Sequence, residues 1–191
     1  MSLAALAFAG TAAPAFAQDS PRFTGPRVSA DAGWGRVAGN GLAGDGFDYG
    51  ATLGYDVAAG NLRIGPEVGI ADSTQDACKR YPAGGASARE CGRSDRDLYA
   101  GVRLGYTAAP KLLVYGKVGY TNARFSDRYE DVSTGSKPAA RFADDHSGYR
   151  LGAGAEWAVT RQVFVNGEYR FSQYGDHLHQ NQILGGVGLR F

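Results

Sequence analysis

Three sets of residues in this chain have the types and spacing that chemistry requires. The densest is a set of fourteen charges, Arg27, Asp31, Asp48, Asp56, Arg63, Glu67, Asp97, Arg103, Lys117, Arg150, Glu156, Glu168, Arg170 and Arg190, alternating with apolar residues. Seven are acidic and seven basic. Charges taken out of water are tolerated only when paired and hydrogen-bonded, so equal numbers suit a closed network of ion pairs better than a selective ion pathway. Arg63, Glu67, Arg103, Lys117, Arg150, Glu156, Glu168 and Arg170 are expected to form its middle. The second set is Cys78 and Cys91, thirteen apart in a Gly- and Arg-rich stretch. Their spacing suits a disulfide closing a surface loop in an oxidising compartment, a restriction of the unfolded chain of about 3 kcal/mol. The third is His177 and His179 in "GDHLHQ", which share a face if the segment is extended. With Asp176 as their only obvious helper they fall short of a metal or haem site, and a solvated loop pair is the expectation. Ser172 with His177 would offer a nucleophile and a base for lipid hydrolysis, but an orienting acid is also needed. The compact His and Ser signature of lipid A deacylases is not found, and neither enzyme activity, cofactor nor metal is expected.

The elements that position these residues are read from a period of two rather than 3.6. Eight segments alternate. Their apolar faces run Val28 to Trp34, Phe47 to Val57, Leu62 to Ile70, Leu98 to Tyr106, Leu112 to Tyr120, Tyr149 to Val159, Val163 to Phe171 and Ile183 to Phe191. No charge falls on those faces, and the fourteen charges take the opposite parity. Arg36, Arg96 and Arg124 break the rule and are placed at loop junctions. Pro66 has no donor for a closed ladder and predicts a bulge or a weak spot.

Alternation does not say which face is inside. A soluble lipocalin-like barrel would turn the apolar face inward; a membrane barrel turns it to lipid and keeps a polar interior. The membrane reading is favoured because Trp34, Tyr49, Tyr55, Tyr106, Tyr120, Tyr149, Trp157 and Tyr169 recur near strand ends, where amphipathic rings gain from an interface. Glycines crowd the charged parity, as a narrow lumen with few large side chains would need. Connections alternate too: short at 58–61, 107–111 and 160–162, long at 38–46, 73–93, 126–145 and 173–179. The third long one carries Asp127, Arg128, Glu130, Asp131, Lys137, Arg141, Asp144 and Asp145, which reads first as a hydrophilic surface loop. The fold expected is all-β: an eight-stranded antiparallel up-and-down transmembrane barrel with short periplasmic turns and four longer external loops.

Composition agrees. A net charge of +1 removes the electrostatic case for nucleic acid, and 29 glycines in 191 residues suit curved sheet better than helix. Residues 1–17 carry an apolar run from Leu3 to Ala13, Pro14, and the small-x-small triplet Ala15, Phe16, Ala17. This reads as a signal peptide removed on export, without a basic residue ahead of its core, leaving 18–191 as the barrel domain. No later segment approaches the roughly 20 apolar residues of a membrane helix.

The stretches "YRLGAGAEWAV", "VFVNGEYRFSQYG", "ILGGVGLRF" and "LLVYGKVGYTNARF" resemble the OmpA-like, opacity-protein-like family of small outer-membrane β-barrels, which includes bacterial surface antigens. The resemblance extends over 18–191. It implies location in the Gram-negative outer membrane, contact with lipid and lipopolysaccharide, and delivery by periplasmic chaperones to the assembly machinery. Val187, Leu189 and Phe191 would be the outward positions of the terminal assembly signal. The barrel is expected to stand without the peptidoglycan-binding domain of full-length OmpA. The function expected is therefore structural and interactive, in a monomer whose lumen is plugged by the charge network and whose loops meet host or cell-surface ligands. A narrow diffusion pore is the alternative, and a lipid A-modifying enzyme trails both.

Overall fold

The computed structural model describes residues 22–39, 42–74, 76–83, 86–131, 140–175 and 178–191, the side chains of 42, 76–95 and 124–145 excepted. The expected signal peptide, and Asp176, His177 and Lys137, lie outside the described residues. Nine strands follow in chain order: β1 (Gly25–Gly39), β2 (Leu42–Ala59), β3 (Leu62–Ser73), β4 (Asp76–Ala83), β5 (Ala86–Ala109), β6 (Leu112–Asp131), β7 (Ala140–Ala158), β8 (Val163–Tyr174) and β9 (Leu178–Arg190). Every pairing is antiparallel. Eight strands close the barrel, since β1 pairs with β9 at one seam and β3 with β5 at the other. The remaining strand, β4, pairs with the outer half of β5 and lies beyond the closed wall.

Closure satisfies the backbone of every wall strand without exposing an edge, which a sheet in lipid must do. The parity read from the sequence is the parity of the wall. All fourteen alternating charges are buried, none more than 7% exposed, while Trp34, Leu53, Val68, Ile70, Val118 and Ile183 are each at least half exposed. Aromatic rings border this apolar band. Tyr55, Tyr106 and Trp157 lie near the end where β2, β5 and β7 turn, and Trp34, Phe47, Tyr120 and Tyr149 lie toward the other.

Connections at the first end are short: two residues after β2, two after β5 and four after β7. At the other end they are longer, but much of their length is strand rather than loop. The stretch 73–93 holds β4 and the start of β5, and β6 and β7 run on through 126–131 and 140–145. Loss of apolar alternation marks where the chain leaves lipid. Pairing continues past that point because cross-strand hydrogen bonds satisfy the backbone equally well in water.

At Pro66 the register does not slip: Gly54 opposes Glu67 and Val57 opposes Ile64, on one frame. Pairing lapses between them, where Tyr55 stands opposite Pro66, a residue without a donor, and Asp56 opposite Gly65. Pro66 is thus a weak spot and not a bulge. The register shifts of the wall are both on β5, at Ser94/Arg96 and Thr107/Ala109.

Candidate functional site

Among the described residues, charged side chains converge in the lumen, which is built in three tiers. Nearest the short turns, Asp56 accepts from Arg27 Nε at 3.1 Å and from Arg190 Nη1 at 3.0 Å. Glu156 accepts from Arg103 Nη2 at 2.7 Å and Arg190 Nη2 at 3.0 Å, and Arg103 Nη1 lies 3.7 Å from Asp56. These groups come from β1, β2, β5, β7 and β9, so the tier ties the wall across its diameter. Arg27 reaches on to Glu67, which joins the first tier to the second.

In the middle tier Lys117 Nζ bridges Glu67 at 2.8 Å and Glu168 at 2.6 Å. Glu168 pairs with Arg170 and accepts from the Tyr115 hydroxyl at 2.9 Å. Arg170 in turn approaches Asp31 at 3.4 Å, whose remaining acceptor sites take Thr52 Oγ1 at 3.1 Å and Asn166 Nδ2 at 2.9 Å. Toward the long connections, Arg150 pairs with Asp97 and donates through Nε to Ser172 at 2.8 Å. Thr121 and Tyr174 hydroxyls complete Asp97, at 2.6 and 3.2 Å.

Of the eight residues expected in the middle, Glu67, Lys117, Glu168 and Arg170 are there. Arg103 and Glu156 belong to the turn-end tier and Arg150 to the other. Arg63 corrects the expectation: it is buried, but its guanidinium donates to the carbonyls of Arg22 at 3.1 and 3.0 Å, of Gly60 at 2.7 Å and of Leu62 at 2.8 Å. It sits one residue into β3, beside the turn, where backbone carbonyls come within hydrogen-bond reach.

The neutral part of the lumen was not read from the sequence. Tyr99, Tyr115, Tyr174, Phe164, Leu113 and Phe23 are all buried. Tyr115 carries the Arg103 guanidinium 3.8 Å above its ring, a cation–π contact. Phe23, Leu113 and Ala158 form an apolar cluster at the turn end. Phe23 takes φ 67°, a region costly for a bulky side chain, so packing and the Arg63 grip on the preceding carbonyl hold it there. Glycines make room for the large groups. A Cβ on Gly54 would strike the Arg27 guanidinium, and one on Gly154 the Tyr115 ring. The available signal was parity: Tyr115 shares it with Lys117, and Tyr99 with Asp97 and Arg103.

Two voids of ≈ 10 Å³ each lie among the described side chains of the interior, one beside Asn166 and Phe164, the other beside Tyr99 and Lys117. That is the room one water needs.

The other expected sites are placed as follows. Cys78 and Cys91 oppose each other in the β4–β5 register; their side chains lie outside those described. Val187, Leu189 and Phe191 face outward, and the Phe191 amide donates to Pro26 O at 2.9 Å, extending the β1–β9 seam by one bond. His179 is half-buried in β9 with its ring stacked on Phe171, 6.4 Å between centroids. Ser172 faces the lumen fully buried, bonded to Arg150, so it offers no accessible nucleophile.

Comparison with known proteins agrees with this geometry. Residues 3–191 match the family described as outer membrane protein beta-barrel domain. The 31 kDa outer-membrane immunogenic protein of Brucella melitensis is 32% identical over 73 residues, 38% of this chain and 30% of that protein, so the match spans under a third of the relative's length. Among solved structures, Ail, the attachment invasion locus protein of Yersinia pestis, superposes with a TM-score of 0.55 at 12% identity, covering 87% of this chain and 99% of its own. A second structure of Ail holds the heparin analogue sucrose octasulfate. Neisserial surface protein A gives 0.53 at 17% identity, covering 88% and 98%. At these identities the likeness is one of fold.

Proposed function

The chain belongs to the outer membrane protein beta-barrel domain family, and on that premise we propose that it is a sealed, structural barrel that meets its surroundings through its long-connection end. It is an integral protein of the Gram-negative outer membrane, with the exposed apolar band in lipid. The observation that carries the sealed reading is the lumen: an ion-pair network ties opposite strands, and the voids beside it among the described side chains measure ≈ 10 Å³ each. Conduction requires a continuous file of water, and charges paired across the lumen work against one.

Several finer parts of the reading go with it. Residues 1–17 are a signal peptide removed after Ala17. Cys78 and Cys91 form a cross-strand disulfide: directly opposed residues have Cα atoms roughly 4.5–5.5 Å apart, inside the span a disulfide bridges. Val187, Leu189 and Phe191 present the assembly signal to the membrane machinery after passage on periplasmic chaperones. The barrel acts as a monomer, and its outer extension is the surface open to host or cell-surface ligands, in keeping with a relative named for immunogenicity. No catalytic role is assigned.

Single-channel recording of the refolded chain in a planar bilayer tests the sealed reading, with a heat-dependent gel shift establishing that the barrel has formed. Silence from folded protein is expected. Reproducible small steps would overturn it in favour of a narrow pore gated by the same charges.

A further inference from the structure

The charges of the lumen balance in number but not along its length. Beside the short turns stand Arg27, Arg63, Arg103 and Arg190 against Asp56 and Glu156. In the middle Lys117 and Arg170 meet Asp31, Glu67 and Glu168, and toward the long connections Arg150 pairs with Asp97, with Asp48 at the same end. The turn end therefore holds four cations to two carboxylates, and the rest of the lumen three cations to five carboxylates. A wall of low dielectric directs the field of the uncompensated cations out of the nearer mouth.

The outer rim of that mouth adds to the excess. Arg22 precedes β1, Lys111 lies in the β5–β6 turn and Arg161 in the β7–β8 turn, and all three are exposed. Among the described residues, no acidic side chain is exposed at this end. Backbone bonds join the turns into one surface: the Lys111 carbonyl accepts from the Ala158 amide at 2.9 Å, and the Gln162 carbonyl from the Arg190 amide at 2.8 Å. Arg22 is carried across the mouth, because its carbonyl takes the Arg63 guanidinium of β3 while Phe23 packs on Leu113 of β6 and Ala158 of β7. The rim also stands close to lipid. Arg161 lies two residues beyond Val159, roughly 7 Å of extended chain, and Lys111 directly precedes Leu112, the register partner of Trp157. Val159 and Trp157 are both half exposed on the lipid side.

We propose that this basic rim gathers anionic phospholipid, of the phosphatidylglycerol kind, from the periplasmic leaflet of the outer membrane. Depth and sign select that partner. The turns are too short to carry Lys111 and Arg161 away from the membrane, so the anions they meet are phosphates at headgroup level. Cations beside a membrane span draw anionic lipid toward them, and guanidinium forks match phosphate oxygens in pairs. The inference rests on the outer-membrane placement given above, with the short turns toward the periplasm, and adds a lipid preference to it.

The test uses the full chain refolded in phosphatidylcholine vesicles with a minor share of phosphatidylglycerol, and the heat-dependent gel shift as the folding check. Bromine on the acyl chains of one lipid or the other quenches the tryptophan that lipid touches. W34F leaves Trp157, near the turn end, as the reporter, and W157F leaves Trp34, toward the other end. Trp157 should meet phosphatidylglycerol enriched about twofold or more over its bulk share. Adding R22Q/K111Q/R161Q should remove that enrichment while leaving the quenching of Trp34 unchanged, and R22K/R161K should keep it. Raising salt from about 50 to 500 mM should erase it, because screening acts on exposed charge. Equal quenching of Trp157 by the two lipids, or enrichment that survives in the folded Gln triple, overturns the proposal. A triple that changes both tryptophans alike also overturns it, since the effect would not belong to one end. Soluble peptidoglycan fragments displacing the lipid at equal concentration would overturn it in favour of cell-wall carboxylates. A chain that shows no heat shift in any lipid overturns the membrane placement itself.

Discussion

Arg103 and Arg36 are the same side chain in two settings. In the lumen Arg103 is 3% exposed, reaches Glu156 at 2.7 Å and lies 3.8 Å over the Tyr115 ring. On the outer wall Arg36 is 63% exposed and comes no nearer than 3.7 Å to Asp45. Both are ion pairs by distance. Water screens the outer one and leaves it worth little, whereas the inner one has lost its hydration and depends on its partner. The interior and the outer wall therefore use charge in different ways: inside, acids and bases interleave and depend on one another; outside, a charge such as Arg36 is answered chiefly by water.

Breaking an interior pair should have the largest effect. Glu67 is the acceptor common to Arg27 and Lys117, linking two tiers. Glu67→Ala leaves both cations buried without their shared partner, and destabilisation of about 3–5 kcal/mol is expected. The midpoint of urea unfolding in lipid vesicles, followed by Trp34 and Trp157 fluorescence, measures it. An unchanged midpoint would mean that water reaches these charges, and the contrast between inside and outside would collapse. Phe23→Ala comes next, at about 3 kcal/mol, since it empties the apolar cluster with Leu113 and Ala158 but also releases the strained φ of 67°. The same urea experiment reads it, and a loss below about 1 kcal/mol would make the Arg63 grip on Arg22, rather than ring packing, the fastening of the turn end.

The outer extension should respond separately from the wall. With Cys78 opposite Cys91, reduction is expected to loosen the β4–β5 hairpin by about 2–3 kcal/mol while leaving the unfolding midpoint of the wall in place. Limited proteolysis with and without reductant distinguishes the two. Cleavage within 76–93 that ignores reductant would count against the bridge.

This division also marks what could be read from the sequence. Segregation of fourteen charges to one parity is a direct consequence of two-sided strands, so wall, lumen and lipid face were legible from residues such as Lys117 set between Gly116 and Val118. The tiers were not, because pairing depends on the stagger of strands around the barrel. Arg27 and Arg190 meet at Asp56 only through the closure of β1 on β9, which no local pattern specifies. Arg63 keeps the parity of a network member yet bonds carbonyls, because depth along the strand decides what a guanidinium finds. The length of the outer strands escaped for another reason: hydropathy reports the solvent around Asp127 and Asp144, and those residues stay paired in strands after the solvent has changed.

Arg36→Ala is the smallest change and the sharpest test of the contrast. It removes a charge at the same kind of distance from a carboxylate as Arg103 Nη1 keeps from Asp56, 3.7 Å in both cases. If distance set the energy, the two would be alike. Because Asp45 is 52% exposed and regains water when Arg36 is removed, the expected loss is within about 0.5 kcal/mol and should vanish in high salt. Asp56 has no such recourse: at 1% exposure, its stability rests on the guanidinium groups of Arg27, Arg103 and Arg190 together. Parallel urea titrations of Arg36→Ala and Arg103→Ala at low and high salt compare them directly. A salt-sensitive Arg103 or a salt-insensitive Arg36 would show that the wall does not separate the two environments, and would reopen the lumen to solvent.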